Sequence, residues 1–164
     1  MEKESMVYIT AMQDSLKSKY EVLKRIFEIT KQQEQMLSFE DADMDMDAFD
    51  ELLGKKDVLI RQIEELDKGF QGVFERVKDD IEKNKQEYKP RILEMQNLIR
   101  QITDLGVKIQ ALEERNKSRF ESFLGHKRQE IQGFRANSKA VNLYNQHRAN
   151  QHQEWQSYFL DKKK

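Results

Sequence analysis

A chain of 164 residues with 36% charged and 37% hydrophobic side chains, one Pro and six Gly leaves little sequence for loops, and matches long solvated helices. Its 29 basic residues nearly cancel 30 acidic ones, for a net charge of −1, so the basic excess of a nucleic-acid binder is missing. With no cysteine, neither a disulfide framework nor a thiolate metal site can form.

The opening MEKESMVYITAMQDSL lacks the uninterrupted apolar stretch of a signal peptide. No later run approaches the ~18 apolar residues that span a bilayer. Together these features predict a cytoplasmic protein with no membrane insertion.

The first helix is predicted from about Lys3 to Leu37. Ile9, Met12, Leu16, Tyr20, Leu23, Ile26, Phe27 and Leu37 recur mainly at steps of three and four, one stripe of a 3.6-residue period. At ~1.5 Å per residue such a helix reaches about 50 Å and needs a partner alongside. The stripe stops at Ser38. From Glu34 to Glu51 eight acids occur without a basic residue, and clustered Asp favours turns and caps. Asp45 fits the N-cap of the next helix, with Met44 and Phe49 as a hydrophobic staple.

The second helix is predicted over 46–88, with Phe49, Leu53, Ile60, Ile63, Phe70, Phe74, Val77 and Ile81 on one stripe. Gly69 and Gly72 predict a bend or brief break around Asp67 to Gly72. Pro90 has no N–H and disfavours helical angles before it, so a helix either ends near Tyr88 or kinks there. The third helix is predicted over 91–136. It carries Ile92, Met95, Ile99, Ile102, Ile109, Leu112, Phe120, Phe123, Leu124, Ile131 and Phe134, and its outer faces carry pairs such as Glu113 with Lys117.

Residues 137–164 then form a polar and aromatic tail, partly helical or mobile, where Asn and Gln replace the aliphatics. From His126 onward eight basic residues face three acids, and Tyr144, Trp155, Tyr158, Phe159 and Leu160 remain. Such a segment either docks on its own bundle or orders on a partner. The fold class is therefore all-α: a coiled-coil-like bundle of long antiparallel helices over 1–136, followed by the tail. The stripes hold no strict heptad, which favours a bundle over a uniform rod, although a homodimer would carry a similar pattern.

Each apparent chemical site fails on a named residue. Asp41, Asp43 and Asp45 sit at positions one, three and five of a calcium loop, but Met46 and Leu52 stand where Gly and a bidentate Glu are needed. A di-iron bundle needs Glu-x-x-His, and none of His126, His147 and His152 has a Glu three residues earlier. Adjacent acids such as Asp79 with Asp80 follow from composition, without a pocket to separate their pKa values. No catalytic residue, metal ligand or cofactor site is expected, and the chain reads as no enzyme.

The blocks FDELLGKKDVLIRQIEELDKGFQGVFERVKDDI and LIRQITDLGVKIQALEERNK, with ANSKAVNLYNQ and YFLDKKK near the end, resemble the FlgN-type flagellar export chaperones. They are particularly similar to the short versions from flagellated Gram-positive bacteria, and the resemblance runs from about Ala48 to Lys164. It implies a non-enzymatic bundle that keeps hook–filament junction proteins unassembled before secretion and delivers them to the export apparatus. A sister group, the FliT-type chaperones, serves the filament cap, and the sequence does not separate the two. On physical grounds a partner's amphipathic helix would lie in a helical groove. The apolar positions offered for it are Phe120, Phe123, Leu124, Ile131, Phe134, Tyr144, Trp155, Tyr158 and Phe159. The alternative function is a structural or self-assembling coiled coil.

Overall fold

The computed structural model describes residues 2–38 and 44–130. Three long helices occupy nearly all of this: α1 (Glu2–Leu37), α2 (Met46–Lys83) and α3 (Lys85–Glu130). The all-α class is thus observed, with no strand among the described residues.

Local chemistry sets the helix ends. At the end of α1, the Ser38 hydroxyl and amide both donate to the Gln35 carbonyl, at 2.8 and 3.3 Å. Asp45 caps α2 as its sequence predicts: its side chain accepts from the Ala48 amide at 3.2 Å and its carbonyl from the Phe49 amide at 3.0 Å. Met44 packs against the apolar cluster that contains Phe49, completing the staple.

Two boundaries differ from the sequence expectation. First, α2 runs unbroken through Gly69 and Gly72. Each glycine costs about 1 kcal/mol in a helix interior, but Phe70 and Phe74 beside them are buried, at ~1.5–3 kcal/mol each. Tertiary burial outweighs local propensity there.

Second, the α2–α3 break falls at Asn84, and Pro90 lies inside α3. The Asn84 side-chain amide donates to the Asp80 carbonyl (3.1 Å) and to Asp80 Oδ1 (2.7 Å), which gives the backbone an alternative to continuing the helix. The Asn84 carbonyl accepts from the Tyr88 amide at 3.2 Å and so starts α3. Fully buried Tyr88 also donates its hydroxyl to Asp80 Oδ2 at 2.8 Å. Asp80 thereby ties the end of α2 to the start of α3, and Pro90 arrives after the helix is already anchored. The expected extension of the third helix from Glu130 to Ala136 lies outside the described residues, as does the tail.

The chain gathers into two compact units. The first takes residues 2–23 and Arg61–Asp104. Tyr8 meets Arg76 and Lys19 meets Asp67, so α1 and α2 run antiparallel; Thr10 meets Arg91 and Gln13 meets Glu94, so α1 and α3 run parallel. Its core joins Ile9, Met12 and Leu16 to Phe70, Phe74, Val77 and Ile81 and to Tyr88, Met95, Ile99 and Ile102. The second unit takes Lys24–Ile60 and, among the described residues, 105–130. Lys56 faces Glu113, while seven positions back along α2 Phe49 faces Phe120, seven positions on along α3. That is the antiparallel register of an α2–α3 hairpin.

Because Pro90 is exposed, replacing it removes no packing. Pro90→Ala returns an N–H to the α3 ladder and relieves the ring clash, against the ~0.4–1 kcal/mol that proline removes from unfolded-chain freedom. The variant is expected to gain about 1 kcal/mol or more. A higher urea midpoint with an unchanged slope checks this, and a lower midpoint would contradict a helix that runs through Pro90.

Candidate functional site

The apolar stripe of α3 ends, within the described residues, at Phe120, Phe123 and Leu124. All three are buried. Phe120 stacks on Phe49 with ring centroids 4.8 Å apart and planes 6° apart, and Phe123 lies 6.4 Å from Phe120. Leu53 completes the buried cluster, and Met36, Leu37, Met44 and Met46 pack around it. Among the described residues the covering surface thus comes from α2, the end of α1 and Met44. Three methionines on that rim supply flexible, polarisable side chains that repack readily against different shapes.

Next to this cluster the core turns polar. Thr30, Gln33, Lys56 and Asn116 are fully buried and Glu113 nearly so. Lys56 Nζ donates to Glu113 Oε1 and lies 3.4 Å from the Thr30 hydroxyl. That hydroxyl lies 2.9 Å from Glu113 Oε1 and 2.7 Å from the Ile26 carbonyl. The Asn116 amide donates to the Thr30 carbonyl at 3.0 Å. Among the described residues, both polar atoms of the Gln33 amide, Glu113 Oε2 and Asn116 Oδ1 have no hydrogen-bond partner. Burial pulls the Lys56 ammonium below the ordinary lysine value, against the opposing attraction of Glu113.

The first unit holds a comparable pair. Lys19 Nζ donates to Asp67 Oδ1 at 2.9 Å, with both side chains largely buried. Desolvation lowers the Lys19 pKa and raises that of Asp67, each shift being opposed by the other partner's charge. Among the described residues no cluster of His, Cys, Asp or Glu is placed to hold a metal ion. What the arrangement offers chemically is an aromatic and methionine surface beside a costly polar layer.

The predicted binding residues therefore divide. Phe120, Phe123 and Leu124 come together in one cluster. Ile131, Phe134, Tyr144, Trp155, Tyr158 and Phe159 lie outside the described residues. Glu113, placed by its sequence on an outer face with Lys117, is instead buried against Lys56. The residues that stripe reasoning overlooked are Lys19, Thr30 and Gln33 on α1, Lys56 and Asp67 on α2, and Glu113 and Asn116 on α3. Lys19 gave no signal, since it lies between Leu16 and Tyr20 on an unbroken stripe; for the others the signal was present as gaps in the apolar stripes, from Phe27 to Leu37, from Leu53 to Ile60, from Ile63 to Phe70 and from Leu112 to Phe120. A polar residue fills each gap at the helical step.

Removing one partner of a buried pair strands the other's charge. Lys19→Met alone is expected to cost ~3 kcal/mol, the lower end of the range for buried pairs. Lys19→Met combined with Asp67→Leu should match or exceed the parent's stability, read as the urea midpoint. The pH dependence has a definite sign. Because the folded Asp67 pKa is raised above 3.8, the folded state binds more protons than the unfolded state above that pH. The parent's stability relative to the double variant should therefore fall as pH rises from about 4 toward neutrality, and a rise would contradict the assignment.

Among the described residues no helix is long and apolar enough to cross a membrane. No curated protein and no solved structure matches the chain. The family model described as FlgN protein matches residues 1–152, which takes in the whole of α1 and the blocks from Ala48 through ANSKAVNLYNQ, but not the final YFLDKKK. A match over that much of a three-helix, all-α chain places this protein in the FlgN family, the flagellar export chaperones.

Proposed function

We propose that this protein is a cytoplasmic chaperone of flagellar type III export that captures hook–filament junction proteins by their terminal helices. It holds them unassembled and passes them to the export apparatus without chemical change. The family match over 1–152 carries the proposal. The physics supports it, because a helix that would otherwise polymerise can be covered by laying its apolar face into a groove between helices. Phe120, Phe123 and Leu124, continued by Ile131, Phe134, Tyr144, Trp155, Tyr158 and Phe159, form the contact surface in this proposal. Large aromatic anchors of this kind dominate binding energy in most interfaces.

The test is an affinity capture from a flagellated cell's lysate, followed by binding of the purified partner segment. A one-to-one complex with a hook-associated protein is expected, and it should be lost on deleting 118–164. Because that deletion also removes the buried Phe120 cluster, a shorter truncation is the cleaner measurement. A chain of residues 1–130 should keep its helical circular dichroism and bind at least about tenfold more weakly. Equal affinity would move the contact surface away from the tail. Recovery of this protein alone, as a stable self-assembly, would leave a structural coiled coil as the function.

A further inference from the structure

We infer that the second unit is the part of the chain that opens, and that its buried polar layer sets how often α3 releases after Asn116. Along α1 the core positions run from Ile26 to Thr30 and Gln33; along α2 from Leu59 to Lys56; along α3 from Leu112 to Glu113 and Asn116. The layer thus interrupts the apolar packing inside this unit and isolates the Phe49 cluster beyond it. Among the described residues that cluster has five buried apolar members, against eleven in the cluster of the first unit, and segments with few buried apolar contacts are the ones that open first. Beyond Asn116, the buried apolar positions on the described part of α3 are Phe120, Phe123 and Leu124.

The layer itself favours opening. Opening rehydrates Lys56 and Glu113, whose desolvation offsets their attraction. It also supplies water to the Gln33 amide, which is fully buried with neither polar atom bonded. The surface uncovered is an aromatic strip of Phe49, Leu53, Phe120 and Phe123 edged by Met36, Met44 and Met46. Such a strip suits one class of occupant, an amphipathic helix from a partner protein. This last step rests on the proposed chaperone function; the opening itself does not.

Hydrogen exchange of the full chain without partner tests the opening. Amides of residues 117–126 should exchange at least about tenfold faster than those of 95–102. Lys56→Met with Glu113→Leu, which replaces the ion pair by apolar groups, should slow residues 117–126 by about tenfold or more. Gln33→Leu leaves the ion pair in place and should slow the same amides, so the inference stays testable if the double variant misfolds. Equal exchange in the two stretches, or no slowing in either variant, would overturn it. With a purified junction-protein segment, the capture rate should fall in the same proportion as the opening while dissociation stays unchanged. Slowed opening with an unchanged capture rate overturns the link to binding. Failure of the parent protein to bind at all removes the chaperone function and leaves the exchange result standing.

Discussion

The structure depends on a matching rule: a charged side chain on a core stripe must meet its opposite on another helix. Apolar stripes of period 3.6 tolerate a slip of one turn, because Leu, Ile and Phe pack against one another in several registers. A buried ammonium has no such freedom. Sliding α2 by one turn past its neighbours would carry Lys56 away from Glu113, or Lys19 away from Asp67, and leave charges unpaired at a cost of ~3–5 kcal/mol. Among the described residues each unit contains such a pair, which fixes the alignment of two of its helices, and the third follows through contacts such as Thr30 with Asn116.

This specification is obtained at the expense of stability. Fully apolar cores of the same volume are often as stable or more so, and the unbonded Gln33 amide adds a further penalty without an evident structural return. Both units carry such a penalty, since Asp67 Oδ2, Arg91 Nε and one Arg100 guanidinium nitrogen in the first also lack a hydrogen-bond partner among the described residues. The first unit, which holds the Lys19–Asp67 pair, also holds the larger apolar cluster among the described residues. In the second, three helices place polar residues at one level, and among the described residues the smaller Phe49 cluster lies beyond. A chaperone that must expose a sticky surface on contact needs a region of this kind, since loops and elements that move are drawn from the less stable part of a fold.

The helices themselves were legible in the residues because their signals are local and repeated: stripes for the bodies, Asp45 with Met44 and Phe49 for a start. The break before α3 was not, because proline is conspicuous in a sequence while the Asp80–Asn84–Tyr88 network depends on a reversal of chain direction. The glycines near Asp67 misled in the opposite direction, since burial of Phe70 and Phe74 is a tertiary effect. Glu113 shows the limit most clearly. On its own helix it forms a favourable surface spacing with Lys117, and only the position of Lys56 on α2 reveals that it points inward. Partners of buried charges lie far apart in the chain, and a single stripe cannot name them. Aligned gaps in three stripes can, once the hairpin register is known.

That register also reconciles two facts about the end of α3. Phe120, Phe123 and Leu124 have the composition of a binding surface, yet they are covered by Phe49 and Leu53 within the same unit. A surface that is both adhesive and permanently exposed would aggregate, because apolar patches on a free protein recruit one another. Covering it with the protein's own α2 avoids that outcome, provided that the cover is weak. A stack between two aromatic rings adds only ~0.5–1.5 kcal/mol beyond its area burial, and the neighbouring polar layer prevents the apolar core from extending to reinforce it. Under the proposed function the same Phe120 is a core residue in the free protein and a contact residue in a complex. Which of the two it is depends on whether a partner's helix buries more apolar area on α3 than α2 does.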